Sequence, residues 1–265
     1  MSALDRVFRT CRDEQRAALV AYLAAGFPDN ATSREAMAAL AASGADIVEV
    51  GVPYTDPLMD GPVIQDAADR ALAGGFRVRD LLGNVEAVAS AGAVPVVMSY
   101  WNPILRYGPD AFARDLAAAG GAGLITPDLI PDEAAAWRAA AEARGVAPIF
   151  LVAPSSTDAR LAMTAEATRG FIYAASTMGV TGARTSVGAG ARELVERTRA
   201  VSDLPVCVGL GVSTREQAAE VASFADGVIV GSALVRALGE GTADGRGLAP
   251  LQALTAELAE GVRQR

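Results

Sequence analysis

The chain has 265 residues, about half of them apolar, with a formal net charge of −8, no histidine and no lysine, since all 23 basic residues are arginine. The absence of lysine excludes a Schiff base with pyridoxal phosphate or a carbonyl substrate, and the absence of histidine excludes Ser–His and Cys–His nucleophile pairs. Acid–base chemistry therefore falls to Asp, Glu, Tyr or Cys, metal sites lose their commonest ligand, and the lack of a basic block argues against nucleic-acid binding.

The N-terminal segment and the cysteines predict a cytoplasmic protein. The charged, amphipathic start predicts a helix over about 3–15 and no signal peptide. Cys11 and Cys207 lie far apart in sequence and indicate neither a disulfide framework nor a metal knuckle. No apolar run approaches the ~20 residues that a membrane span needs.

Eight short apolar runs alternate along the chain with alanine-rich stretches of helical spacing. The runs cover 18–26, 46–52, 94–100, 122–128, 147–153, 171–176, 205–211 and 226–232. Strands that alternate with helices pair in parallel through crossover helices, and each repeat here has the size of one βα unit. Eight such units in a chain of this length predict a TIM (β/α)8 barrel, with residues 1–265 forming a single domain.

The remaining segments fit around such a barrel. They are a leading helix, a longer excursion over about 62–92 after the second strand, and a closing helix over about 249–263. The alternative is a doubly wound sheet, because "GLGVST" (209–214) follows a strand and weakly resembles a G-x-G-x-x-G turn. That fingerprint normally belongs to the first βα unit, whereas this turn follows the seventh strand, so the barrel is favoured.

Two carboxylates fall near the end of the second predicted strand, where a barrel carries its chemistry. Glu49 interrupts the apolar run "DIVEVGV", and Asp60 ends the loop that follows. Burial among aliphatic side chains raises the pKa of a carboxyl group, which suits proton transfer near neutral pH. The alternatives are a structural ion pair between Glu49 and an arginine, and capping of the next helix by Asp60.

Glycine-rich loops follow the last three predicted strands. The loop over about 177–191 is predicted to be a lid that excludes water, and the alternative is a disordered insertion. Barrels often hold phosphate on backbone amides after their seventh and eighth strands. The candidate phosphate-binding residues are Gly182, Gly211, Gly231 and Ser232, and the alternative is that the glycines serve as turns.

Aromatic and polar side chains also fall near strand ends. They are Tyr22, Tyr100, Asn102, Asp128 and Tyr173. Tyr173 alternates inward in "FIYAA", so its hydroxyl is expected to meet the substrate or another side chain. For the others, packing or helix capping is the alternative.

Seven sequence blocks, in this order, resemble the tryptophan synthase alpha chain family along nearly the whole chain. They are "AYLAAGFPD", "VEVGVPYTDPLMDGPVIQ", "MSYWNPILRYG", "LITPDLIPDEA", "FIYAASTMGVTGAR", "GLGVST" and "VGSALV". The resemblance implies a lyase that cleaves indole-3-glycerol phosphate to indole and glyceraldehyde 3-phosphate by a retro-aldol reaction, with no cofactor and no metal in this chain. The indole ring itself, once protonated at C3, accepts the electrons.

The resemblance also implies roles for individual residues. Glu49 is the main acid–base, Asp60 holds the indole N–H, and Tyr173 supports the substrate hydroxyl or Glu49. The other implied substrate contacts are Tyr22, Tyr100, Ile125, with Leu58 near the mouth, and Thr181, which closes the lid toward Asp60. The implied phosphate ligands are Gly182, Gly211, Gly231 and Ser232.

Members of this family work with a beta subunit that carries pyridoxal phosphate, in an alpha2beta2 heterotetramer that passes indole between subunits for L-tryptophan synthesis. The resemblance implies that Asp56, Pro57 and Asn102 face that partner. Three alternatives stay open: a free-standing lyase that releases indole, a catalytically silent barrel that only activates its partner, and another sugar-phosphate barrel such as an epimerase.

Overall fold

A computed structural model describes residues 1–175, 189–209 and 211–264. Nine parallel strand segments form one sheet. They are β1 Ala18–Ala24, β2 Ile47–Gly51, β3 Val94–Met98, β4 Gly123–Ile125, β5 Ala147–Ile149, β6 Leu151–Val152, β7 Ile172–Ala175, β8 Val206–Gly209 and β9 Gly227–Val230. Each of the eight predicted runs contains a strand, and the fifth run contains two.

Helices connect the strands and cover the outside of the sheet. The α-helices are α1 Ala3–Asp13, α2 Asn30–Ala42, α3 Pro62–Ala73, α4 Leu81–Ser90, α5 Trp101–Tyr107, α6 Pro109–Ala118, α7 Ala135–Arg144, α8 Asp158–Ala167, α9 Ala189–Arg199, α10 Arg215–Ala222, α11 Ser232–Ala243 and α12 Ala249–Gly261. Two short 3₁₀ helices are η1 Val78–Asp80 and η2 Pro131–Glu133. The predicted leading and closing helices are α1 and α12, and the predicted excursion contains α3, η1 and α4.

The strand order gives a nearly closed barrel. It runs β5-β4-β3-β2-β1-β9-β8-β7-β6, so β1 pairs with both the next strand and the last one. The two ends of this order, β5 and β6, are separated in the chain by Phe150 alone. The Pro148 and Phe150 carbonyls accept hydrogen bonds from the Arg169 and Tyr173 N–H groups at 2.9 and 3.2 Å, so the β5 end of the sheet is also tied to the segment that contains β7. The barrel is confirmed, and the doubly wound alternative is wrong.

Two apolar cores follow from the period of two along each strand. Val48 and Val50 point outward to the helices, whereas Ile47 points into the barrel. The interior cluster also includes Leu4 and Phe8 of α1, which closes the N-terminal end of the barrel. The Phe8 ring lies 5.8 Å from the ring of Phe171. A functional site must therefore lie at the opposite, C-terminal end of the strands.

In the described part of the chain, no helix combines the length and the apolar character that a bilayer crossing requires. Nor do the residues described bring together three or more His, Cys, Asp or Glu side chains that could hold a metal ion. Cys11 and Cys207 are both buried free thiols, and burial raises the pKa of each.

Candidate active site

Glu49 occupies an inward position of β2. Its register neighbours are Tyr22 on β1 and Val96 on β3. The period of two that sends Ile47 into the barrel also sends Glu49 inward, one step nearer the C-terminal rim. The strand thus fixes the carboxyl group inside the barrel, although a charged side chain is costly to bury.

The Glu49 carboxyl group is isolated. The residue is 1% exposed, and neither oxygen has a hydrogen-bond partner among the described residues. Burial raises its pKa from 4.5 to about 8. None of the described arginines forms an ion pair with it, so the structural ion pair considered from the sequence is not found there. A carboxyl group that is left unpaired in an apolar site is available to exchange protons with a bound molecule.

Asp60 lies in the loop between β2 and α3, on the same pocket. Burial raises its pKa from 3.8 to about 6, against the opposing effect of a hydrogen bond from the Tyr100 hydroxyl. The capping alternative is wrong, because the N-cap of α3 is Gly61 and no side chain caps that helix. Asp60 contributes its backbone carbonyl instead, which accepts a bond of 2.7 Å from the Gln65 amide.

A pocket with a cavity volume of about 90 Å³, partly open to solvent, lies at the C-terminal rim of the barrel. Its lining includes seven residues that were singled out from the sequence. They are Tyr22, Glu49, Asp60, Tyr173, Gly211, Gly231 and Ser232. Two carboxyl groups of raised pKa face a mostly apolar lining, which is the usual composition of an active site.

Seven further lining residues were missed from the sequence. They are Met59, Ile64, Met98, Leu151, Ala175, Gly209 and Ile229. Several of them are the last inward positions of their strands, as Met98 is in β3 and Ile229 is in β9. The period of two could have identified these from the strand boundaries. No such pattern singles out Met59, because it lies in a loop.

Several residues that were predicted to contact the substrate do not line the described pocket. Tyr100 is buried beside the pocket, and its hydroxyl bonds to the loop that carries Asp60. Ile125 is fully buried in the interior cluster and does not line the pocket. Leu58 is 76% exposed, and its neighbour Met59 lines the pocket instead. Thr181 and Gly182 lie outside the described residues, as does the predicted lid except for its last three residues, which begin α9.

Two tyrosines on different walls of the pocket each pack against a glycine. A Cβ atom at Gly51 would overlap the Tyr22 ring, and one at Gly209 would lie 2.7 Å from the Tyr173 hydroxyl oxygen. Burial raises the pKa of both hydroxyl groups well above 10, and the nearby Glu49 contributes to both shifts. Each tyrosine therefore stays neutral and can donate a hydrogen bond into the pocket.

Gly209→Ala is expected to lower kcat/KM about tenfold or more, because the added methyl group displaces the Tyr173 hydroxyl and small misplacements in a site are costly. The measurement is steady-state indole release. Gly83→Ala is the control, since a Cβ placed at Gly83 in α4 first meets the guanidinium end of Arg34, an exposed and flexible side chain outside the pocket lining. Equal activities for the two variants would contradict the expectation.

The segments that follow β8 and β9 offer backbone amides to an anion. Gly211 has a φ of +70°, in the left-handed region that favours glycine. Gly231 is the N-cap of α11 and Ser232 its first residue, with no side chain bonded to the cap. The N–H groups of the first turn of α11 therefore point toward the pocket mouth, where helix N-termini bind phosphate.

The residues that the resemblance assigns to a partner lie on the outside of the same rim. Asp56 and Asn102 are exposed and Pro57 is partly exposed. The Asn102 amide donates a hydrogen bond of 3.0 Å to the Tyr54 hydroxyl. Two large apolar side chains near them, Leu58 and Leu105, are 76% and 55% exposed. Asp128 is exposed and caps α5, accepting a bond of 2.8 Å from the Trp101 N–H.

Known proteins resemble the chain over its whole length. The family described as tryptophan synthase alpha chain matches residues 8–263. The alpha chain of Mycobacterium avium is 66% identical over 264 residues, which cover 100% of this chain and 96% of that protein. The alpha chain of Mycobacterium tuberculosis is 64% identical over 262 residues, 99% and 95% of the two chains.

Solved structures give the same result. A structure of Mycobacterium tuberculosis tryptophan synthase superposes with a TM-score of 0.94 at 64% identity, covering 99% of this chain and 98% of that one. The tryptophan synthase alpha subunit of Legionella pneumophila has a TM-score of 0.87 at 33% identity, covering 100% and 98%. These matches confirm the resemblance inferred from the sequence blocks, and the chain belongs to the tryptophan synthase alpha chain family.

Proposed function

We propose that the chain carries out its family's reaction, the retro-aldol cleavage of indole-3-glycerol phosphate, in the rim pocket, with Glu49 and Asp60 as the catalytic acids. The observation that carries this assignment is the buried Glu49 carboxyl group, which has no hydrogen-bond partner among the described residues and shares a pocket with a second carboxyl group. A structural carboxylate would be paired, whereas one that must give and take a proton is left open to the substrate.

The reaction needs one group that acts first as an acid and then as a base. Glu49 is protonated at neutral pH, because its pKa is about 8, and donates its proton to C3 of the indole ring. The resulting carboxylate accepts the proton of the hydroxyl group on the side-chain carbon next to the ring. The bond between that carbon and C3 breaks, its electron pair returns to the ring, and indole and the aldehyde leave.

Asp60 stabilises the charge that develops between these steps. Protonation at C3 makes the ring nitrogen part of a positively charged indolenine. With a pKa of about 6, Asp60 is mostly ionised at neutral pH and accepts a hydrogen bond from that N–H. Tyr173 donates a hydrogen bond to the substrate hydroxyl or to Glu49, and burial keeps its own hydroxyl neutral.

The remaining lining residues position the substrate. Met98, Leu151 and Ile229 supply an apolar surface for the indole ring. Gly211, Gly231 and Ser232 supply backbone N–H groups for the phosphate at the opposite end. Tyr22 packs beside Glu49 and Gly231, between these two ends. Thr181 and Gly182 keep the roles that the resemblance implies, as lid and phosphate contacts.

The partner of this chain is the beta subunit of tryptophan synthase, on which the family carries pyridoxal phosphate. We propose that Asp56, Pro57 and Asn102 contact it, together with the exposed Leu58 and Leu105. Apolar side chains exposed next to polar ones are typical of a protein interface. We also propose that residues 1–265 act as one domain and that the protein is cytoplasmic, where its buried cysteines stay reduced.

The purified chain is expected to release indole from indole-3-glycerol phosphate slowly by itself and at least about tenfold faster with a tryptophan synthase beta subunit. Each factor of ten corresponds to about 1.4 kcal/mol of transition-state stabilisation, which closure against a partner can supply. The measurement is the initial rate of indole formation, with the beta subunit alone as the blank.

Each alternative function predicts a different result in that assay. A free-standing lyase would be fast by itself and indifferent to the beta subunit. A silent activating barrel would release no indole, yet would raise the rate at which the beta subunit consumes added indole. An epimerase would convert a sugar phosphate and leave indole-3-glycerol phosphate intact.

A further inference from the structure

Tyr100 contacts three successive residues of the loop that carries Asp60 through a single oxygen atom. Its hydroxyl oxygen accepts hydrogen bonds from the Leu58 N–H at 3.1 Å and the Met59 N–H at 2.9 Å, and Tyr100 also lowers the pKa of the adjoining Asp60 carboxyl group. A phenolic hydroxyl has two acceptor sites and one donor, so these two bonds fill its acceptor sites and leave its O–H as the donor toward Asp60. We infer that Tyr100 is the positioning residue that holds Asp60 in the pocket.

The loop needs such an anchor because it contains no helix or strand between Val52 and Gly61. At its start the Val52 N–H bonds to the Met98 carbonyl of β3 at 2.9 Å. At its end the Asp60 carbonyl accepts a bond from Gln65 of α3. Between these two ties, the Tyr100 hydroxyl is the partner of two consecutive backbone N–H groups.

Tyr100 is itself held by rigid elements. It is 5% exposed and lies at the junction of β3 and α5, as the N-cap of that helix. The next residue donates its N–H to Asp128, which fixes the start of the helix. The Tyr100 ring also contacts the Tyr54 ring, with centroids 5.5 Å apart. A hydroxyl fixed in this way can orient a carboxylate on an irregular loop.

Tyr100 therefore acts on the reaction through Asp60 and not through the substrate. Its ring is absent from the pocket lining, and its hydroxyl oxygen accepts two backbone N–H groups of the loop. This inference deepens the proposed function, since it rests on the catalytic role of Asp60. In the part of the chain that the structure describes, the other titratable groups that line the pocket with Asp60 are Glu49 of β2, Tyr22 of β1 and Tyr173 of β7.

The test compares Tyr100→Phe with Tyr107→Phe in the complex with a beta subunit. Tyr107 is a matched control, because its hydroxyl donates a bond of 2.7 Å to Asp115 outside the pocket. Tyr100→Phe is expected to lower kcat/KM about tenfold or more and to move the acid limb of its pH profile upward by about one unit, since a lost hydrogen bond to a carboxylate raises its pKa. Tyr107→Phe should leave the profile unchanged.

A second measurement is independent of the reaction. The pKa of Asp60 is determined by 13C NMR titration of the isolated chain in wild type and both tyrosine variants. A raised Asp60 pKa in Tyr100→Phe alone is expected. An unchanged Asp60 pKa, or a raised one with unchanged kinetics, would overturn the positioning role. Full activity of Asp60→Asn would instead reject the proposed function, while the titration would still decide whether Tyr100 holds the carboxylate.

Discussion

Replacing Glu49 with glutamine is expected to reduce indole release about a thousandfold or more. Glutamine keeps the size of the side chain and its neutral state, but it can neither donate the proton to C3 nor accept one from the substrate hydroxyl. General acid–base catalysis contributes up to ~10⁴-fold to a rate, and here one group performs both transfers. The loss should appear in kcat, because the variant still fills the same place beside the substrate.

The measurement is single-turnover indole release by Glu49→Gln in the complex with the beta subunit. Glu86→Gln is the matched control, because Glu86 is an exposed residue of α4. The control should keep wild-type activity. A Glu49→Gln enzyme with near-normal kcat would show that the buried carboxyl group is structural and that the catalytic acid lies elsewhere.

The same substitution has a stability signature of definite sign. In the unfolded chain Glu49 ionises near pH 4.5, whereas in the folded protein it stays protonated up to about pH 8. Between these values the folded state binds the extra proton, so the wild type loses stability as pH rises, by up to about 1.4 kcal/mol per pH unit. Because glutamine does not titrate, Glu49→Gln should gain relative stability from about pH 5 to pH 8, as measured by denaturant midpoints.

The main parts of the site could be predicted because they disturb regular patterns. Glu49 breaks an apolar run at an inward position, and the period of two that fixes its direction holds along the whole of β2. Gly231 and Ser232 follow a strand directly and begin a helix, which is a local signal. The positions of these residues in the fold can therefore be predicted from the sequence next to them.

Other features depend on distant parts of the chain. The apolar run 147–153 is continuous, yet it divides at Phe150, because its first half pairs with β4 and its second half with β7. Closure of a barrel requires this change of neighbours, and no local pattern marks it. No local pattern marks the role of Tyr100 either, because its hydroxyl bonds to residues about forty positions earlier in the chain. That loop has no periodicity from which to predict whether Leu58 or Met59 faces the pocket. In the structure it is Met59.

Replacing Asp60 with asparagine is expected to reduce kcat/KM about a hundredfold, a loss of about 2.7 kcal/mol of transition-state stabilisation. The amide oxygen still accepts the hydrogen bond from Tyr100, so the loop should keep its place. The variant lacks the negative charge opposite the indole nitrogen, and its pH profile should lose the ionisation near pH 6.

Asp60→Ala separates charge from position. Alanine removes the acceptor for Tyr100 as well as the charge, so it should lose activity beyond the asparagine variant and loosen the loop. Asp66→Asn, at an exposed position of α3, is the control for both. If the asparagine and alanine variants lose the same factor in kcat/KM, the charge of Asp60 accounts for its whole effect. If asparagine costs nothing, Asp60 does not stabilise a developing positive charge, and Glu49 must cleave the substrate without an electrostatic partner in the pocket.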